Sequence, residues 1–234
     1  MNSIIKILSA IFFLCSSFIN AQDEYNTNIS FNFNYTTTAQ LYLQPFSSDQ
    51  FLRTKSVELN NVYSYSLEIN HKIFEDIFLG ISAEYSKINY SNNNFNLSGE
   101  RATSNDGFTF IPIELTIYYY LPFSTESFKF FMGGGGAFYF GKFYRTLGDL
   151  TINSEMNKSS FGIHVAIGMD YFFYSNFSLK AQMRFRDPEL EWKNEYSNNV
   201  VNYNGITYLL NSSTFFTKVN IDGITFALGI SYNF

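Results

Sequence analysis

Past residue 21 the chain has no cysteine: the one it carries, Cys15, falls inside an N-terminal leader. A mature chain starting at residue 22 would therefore hold no disulfide framework and no thiol chemistry. With only two histidines, His71 and His164, a zinc pattern of Cys and His is excluded as well. No stretch after the leader reaches the 18 or more consecutive apolar residues of a membrane-spanning helix. Basic residues are scarce too: 15 Lys and Arg stand against 20 Asp and Glu. The net charge of −5, one unit more negative once Lys6 is set aside, argues against a nucleic-acid partner.

What is present begins with the leader. One positive charge, Lys6, precedes an apolar run from Ile7 to Leu14, and a short polar tail ends Ile19-Asn20-Ala21 before Gln22. This reads as a cleaved secretory signal over residues 1–21, leaving one domain over residues 22–234. A lipoprotein site would need a small residue before Cys15, where Leu14 stands.

Aromatics make up 20% of the chain, 28 Phe and 18 Tyr among them. High aromatic content without a long apolar run is explained if the apolar side chains are spread over alternating strands. The last twelve residues show the pattern directly. Ile224, Phe226, Leu228, Ile230, Tyr232 and Phe234 project one way, and Gly223, Thr225, Ala227, Gly229, Ser231 and Asn233 the other. Similar alternation runs through residues 25–35, 57–70, 77–86, 111–120, 128–141, 161–172 and 177–186, which with the last strand makes eight. Each is close to the 9 to 11 residues that a tilted strand needs to cross hydrocarbon.

The connections alternate in length. Residues 71–76, 121–127 and 173–176 are short and would be periplasmic, which places His71 in a turn. Residues 36–56, 87–107, 142–160 and 187–220 are long, rich in Asn, Ser, Thr and Gly, and would be solvated external loops. Inside the last of them, Asn204-Gly205 between two short β-prone runs signals a two-residue hairpin, read as an external ribbon. Counting its arms as spanning strands gives the alternative of ten. The fold class is thus all-β, an eight-stranded antiparallel up-and-down transmembrane barrel.

In such a barrel the polar faces line the lumen. Glu84, Glu114, His164 and Arg184 fall in a middle-to-upper layer, and Glu68, Lys129, Asp170 and Lys180 nearer the periplasm. Opposite charges in each layer are expected to pair, as buried charges must, in a structural or gating network. Tyr139 and Phe143 hint at an apolar ring at the lumen's upper end, the feature that would favour transport. Gly136 to Lys142 resembles the start of a phosphate loop, but Phe143 stands where Ser or Thr should hold magnesium. No catalytic constellation, metal site or cofactor is expected.

The terminal Ile230-Ser-Tyr-Asn-Phe234 is similar to the aromatic-ended last strand of the small outer-membrane barrels. With Ile111-Pro-Ile-Glu-Leu115 and Phe161-Gly-Ile-His-Val165, it makes the chain resemble the OmpA-like transmembrane domain, OmpX and the OmpW-like proteins. The resemblance implies a barrel without a peptidoglycan-binding domain, outer-membrane lipid around it, and insertion by the barrel-assembly machinery through the C-terminal strand. The sequence leaves the oligomeric state open, with a monomer favoured, and leaves the partner of the external loops unknown. Two functions follow as expectations: a structural or surface-interaction scaffold bearing four long external loops, or a small-solute or hydrophobic-compound channel of the OmpW-like type. An enzyme is not expected.

Overall fold

The computed structural model describes residues 25–97, 99–155, 160–196, 198–210, 212 and 214–234, so the expected leader lies outside the described residues. Eight strands close on themselves: β1 (Thr27–Tyr42), β2 (Ser56–Phe74), β3 (Ile77–Leu97), β4 (Glu100–Tyr120), β5 (Phe128–Leu147), β7 (Ser160–Tyr174), β8 (Phe177–Arg186) and β13 (Ile224–Asn233). All neighbours are antiparallel, and β13 seals the ring against β1 from Asn28↔Asn233 to Thr36↔Thr225. Closure leaves no strand edge in the hydrocarbon, where an unpaired backbone group would cost several kcal/mol.

The side-chain alternation decides which face meets lipid. Ile163 is 71% exposed and Leu228 66%, whereas Glu68 and Arg184, on the opposite face, are 1% exposed. Apolar side chains point out all round the ring, and hydrophobic residues displayed on this scale mark a bilayer-facing surface. Phe226, Leu228, Ile230 and Tyr232 of the closing strand are exposed as expected, and Phe234 is half-buried beyond its end. The apolar band ends where Ile111 and Phe140 give way, one outward position higher, to Lys87, Thr109 and Lys142. At the opposite edge Tyr119, Phe123, Phe128, Phe173 and Tyr174 form an aromatic belt.

The short periplasmic turns are tighter than the sequence suggests. β2 continues to Phe74, so His71 sits in the strand, with Nδ1 2.9 Å from Thr27 Oγ1. The long connections also differ from solvated loops: most of their residues are strand. β3 and β4 run on past the membrane to a tight external turn. Shorter strands extend the wall elsewhere, namely β6 (Leu150–Glu155) on β5, and β9 (Glu189–Glu195) paired with β12 (Thr214–Asn220) above β8 and β13. The hairpin β10 (Val200–Tyr203) and β11 (Ile206–Leu209) is an external ribbon and adds nothing to the ring, which therefore has eight strands and not ten. Its turn puts Asn204 at φ 52° and Gly205 at φ 82°, the left-handed geometry of a two-residue hairpin. A short helix, α1 (Gln50–Thr54), capped by Asp49, lies between β1 and β2.

The glycine run of β5 admits a large neighbour. The Tyr118 ring lies where a Cβ on Gly133 would fall, 2.6 Å from Tyr118 Cδ1 and 2.9 Å from the Ile117 carbonyl oxygen. Valine at Gly133 is expected to cost about 1–3 kcal/mol by overpacking, read from urea titration in phospholipid vesicles. Stability unchanged by that substitution would mean Tyr118 can move freely. The Gly136 to Lys142 segment is continuous strand in β5, with no loop and no helix after it.

Candidate functional site

Three layers fill the barrel axis. Lowest is a polar layer in which Lys180 Nζ donates to Glu68 Oε1 at 2.6 Å while lying over the rings of Tyr118 and Phe131. Asp170 accepts from Tyr120 Oη at 2.7 Å. Lys129 departs from expectation. It is opposite Asp170 in register, yet half-buried at the periplasmic mouth, and among the described residues no carboxylate pairs with it.

Above this layer two arginines of β8 meet two glutamates. Arg186 grips Glu84 with two bonds of 2.9 and 2.8 Å, and Arg184 Nη1 donates to Glu114 at 2.7 Å. Weaker contacts of 3.5 and 3.4 Å cross-link the two pairs. Ser64 donates to Glu84, and His164 Nε2 lies 2.8 Å from Thr116 Oγ1 beside the cluster. Strand parity puts Glu84, Glu114, His164 and Arg184 in one layer, and the structure brings them together. The expected layer missed Arg186, although that residue shares its strand parity with Arg184 and Lys180. Strand parity puts Tyr118, Tyr120 and Gln182 on the lumen face as well, though neither expected layer includes them.

The third layer is apolar. Phe108, Phe110, Tyr139, Phe143, Leu190 and Trp192 are all buried and pack with Leu41, Leu59, Val219 and Ile221 into a plug that fills the upper lumen. Tyr139 and Phe143 do belong to an apolar ring. Here the outward positions have turned polar while the inward ones are apolar, so the wall above the membrane is built like a water-soluble barrel.

On top of the plug sits a cavity of about 540 Å³. Leu43, Val57, Tyr90 and Phe215 form the side nearest the plug, and Leu209 and Leu210 reach it from the ribbon's end. Arg145 of β5 lines it and is held from behind by Asp106 of β4, with Nε at 2.7 Å and Nη2 at 2.5 Å. Tyr196 Oη accepts from Arg145 Nη1 at 3.1 Å, and the guanidinium stacks 4.3 Å from the Phe215 ring centre. Burial opposes the arginine's charge, but the Asp106 carboxylate more than offsets it and holds the pKa above the ordinary value. Two surface contacts tie the external strands together. Asp149 accepts from the backbone and side-chain nitrogens of Asn202, which lowers its pKa, and Tyr208 donates to Glu100, which raises the tyrosine's.

The wall itself carries a seam. The ladder between β7 and β8 stops at His164↔Arg186, and among the described residues no backbone pairing joins β6 or the start of β7 to β9. Pro188, at the break between β8 and β9, has no N–H to offer. Ser160 Oγ, donating to the Glu189 carbonyl at 2.5 Å, bridges the two sides. Lipid-facing Phe161 and Ile163 border the seam.

No family model matches the chain, and no curated protein matches it. Solved structures do. The outer membrane protein OprG from Pseudomonas aeruginosa superposes with a TM-score of 0.63 at 13% identity, over 92% of this chain and 98% of that one. The outer membrane protein AlkL, solved by solid-state NMR in DMPC lipid bilayers, gives 0.50 at 13% identity over 92% of each chain. The fold is that of a small outer-membrane β-barrel. The lower lumen is ionic, the upper lumen is apolar, and the cavity described above opens at the external end. Among the described residues no cluster of His, Cys, Asp and Glu could hold a metal ion.

Proposed function

We propose that the barrel captures small apolar or amphipathic molecules at its external mouth and releases them sideways into the outer leaflet. The observation that carries the reading is the cavity of about 540 Å³ seated on an apolar plug, with aromatic and aliphatic side chains around it. Pockets of this size and lining suit small ligands with a large apolar surface. Passage along the axis would have to breach both the plug and a layer of paired charges whose separation is costly. The seam beside Pro188 offers a shorter way out, at the level of lipid-facing Phe161.

The surface-scaffold reading draws its support from the rim, where Phe46, Phe51, Ile206 and Leu209 stand exposed to the outside. Ligand capture accounts for the apolar cavity at the external mouth and is preferred on that ground.

In a planar bilayer the reconstituted barrel is expected to give no stable conductance, while the neutral fluorophore N-phenyl-1-naphthylamine binds it saturably. Steady single-channel steps, or binding indistinguishable from partition into lipid alone, would overturn the proposal.

A further inference from the structure

The cavity's charge is not that of the chain. Acidic residues outnumber basic ones in the sequence, yet among the described residues lining the cavity there is no Asp or Glu, and there are two cations, Lys55 and Arg145. Arg145 is only 4% exposed, and its guanidinium is fixed before any ligand arrives. A guanidinium has five N–H donors. Asp106 takes two of them and Tyr196 a third, which leaves two for a molecule in the cavity. Such a fork fits a planar or tetrahedral oxyanion better than any neutral group. Lys55, exposed at the lip, adds a positive charge that Asp106 does not neutralise. Around these cations the surface is apolar and aromatic, with Phe95 and Phe215 flanking the guanidinium at 5.3 and 4.3 Å.

We infer that the cup is a site for monoanionic amphiphiles, molecules with an apolar or aromatic body and one carboxylate or sulfonate head directed at Arg145. This rests on the capture function proposed above and adds the class of ligand to it. Asp106 then has a positioning role: by occupying one edge of the guanidinium it turns the remaining donors towards the ligand.

Two fluorophores with one skeleton separate the claims. 8-Anilino-1-naphthalenesulfonate is N-phenyl-1-naphthylamine with a sulfonate added. The barrel is expected to bind the anion at least about tenfold more tightly, the scale of a hydrogen bond to a charged group. Lys55→Gln should weaken the anion about twofold. The double variant Asp106→Asn, Arg145→Met, chosen so that no carboxylate is left buried alone, should abolish the margin, so that the ratio of the two probes' affinities falls to about one. Equal affinities in the native barrel would overturn this inference while the capture function stands, and a margin that survives in the double variant would overturn it too. Failure of both probes to bind would remove the capture function itself. Should the double variant not fold, as judged by its gel mobility before and after heating, competition decides: laurate must displace the anion at concentrations where dodecanol does not, and equal displacement overturns the inference.

Discussion

Leucine in place of Glu84 is expected to lower the barrel's unfolding free energy by about 3–5 kcal/mol, the cost of stranding a buried charge. Glu84 is 2% exposed and accepts both nitrogens of Arg186, one of Arg184 and the hydroxyl of Ser64. Once it is gone, Glu114 alone faces two guanidiniums, and its contact with Arg186 is the long one at 3.4 Å. A second leucine, at Arg186, should restore most of the loss, because a neutral pair of similar volume removes the desolvation cost along with the attraction. Urea titration in phospholipid vesicles measures all three proteins. A single leucine variant as stable as the native barrel would show that the four charges are solvated and not a closed layer. The same variant bears on the lumen: if it unfolds readily yet gives no conductance beforehand, the apolar plug above the charges is what closes the axis.

The membrane part of this architecture was legible because it has one rule. In β1, β2, β3, β4, β7, β8 and β13, every second side chain must be apolar to face lipid, and the intervening ones are mostly small or polar because they share a narrow lumen. Glu68, Glu84, Glu114, Asp170 and Arg184 take their lumen positions from strand parity alone. Above the membrane the rule reverses. On β4, Glu114 and Pro112 give way to Phe110 and Phe108 at inward positions, while Thr109 and Gly107 turn outward. On β3 the inward row passes from Glu84 and Ser86 to Ile88. A search for outward apolar residues stops at that crossing, and the Asn and Ser beyond it look like loop. For this reason most of the cavity lining, the Asp106–Arg145 pair and the plug residues Leu41, Phe143, Leu190, Trp192 and Val219 lie in segments that read as solvated connections. Lys129 failed for a different reason, since parity puts a side chain on the lumen side but cannot say how near the mouth it ends.

The seam admits a direct test by covalent closure. A Cβ built on Gly162 lies 3.5 Å from Pro188 Cβ, at the short end of the 3.5–4.5 Å that a disulfide needs. The chain has no other cysteine from residue 22 on, so Gly162→Cys with Pro188→Cys should give one defined crosslink. The stapled barrel is expected to bind N-phenyl-1-naphthylamine with native affinity, because the cavity includes neither residue in its lining. Release into lipid should slow by about tenfold or more, because an opening motion that gates exit sets the release rate. Trp192, the only tryptophan, sits in the plug beneath the cup, and the decay of its energy transfer to the bound probe gives the rate. Reduction of the disulfide should restore that rate, and the Pro188→Cys single variant controls for the regained N–H. Release at the native rate with the staple closed would sink the sideways route and leave the cup as a binding site whose ligand returns to the outside.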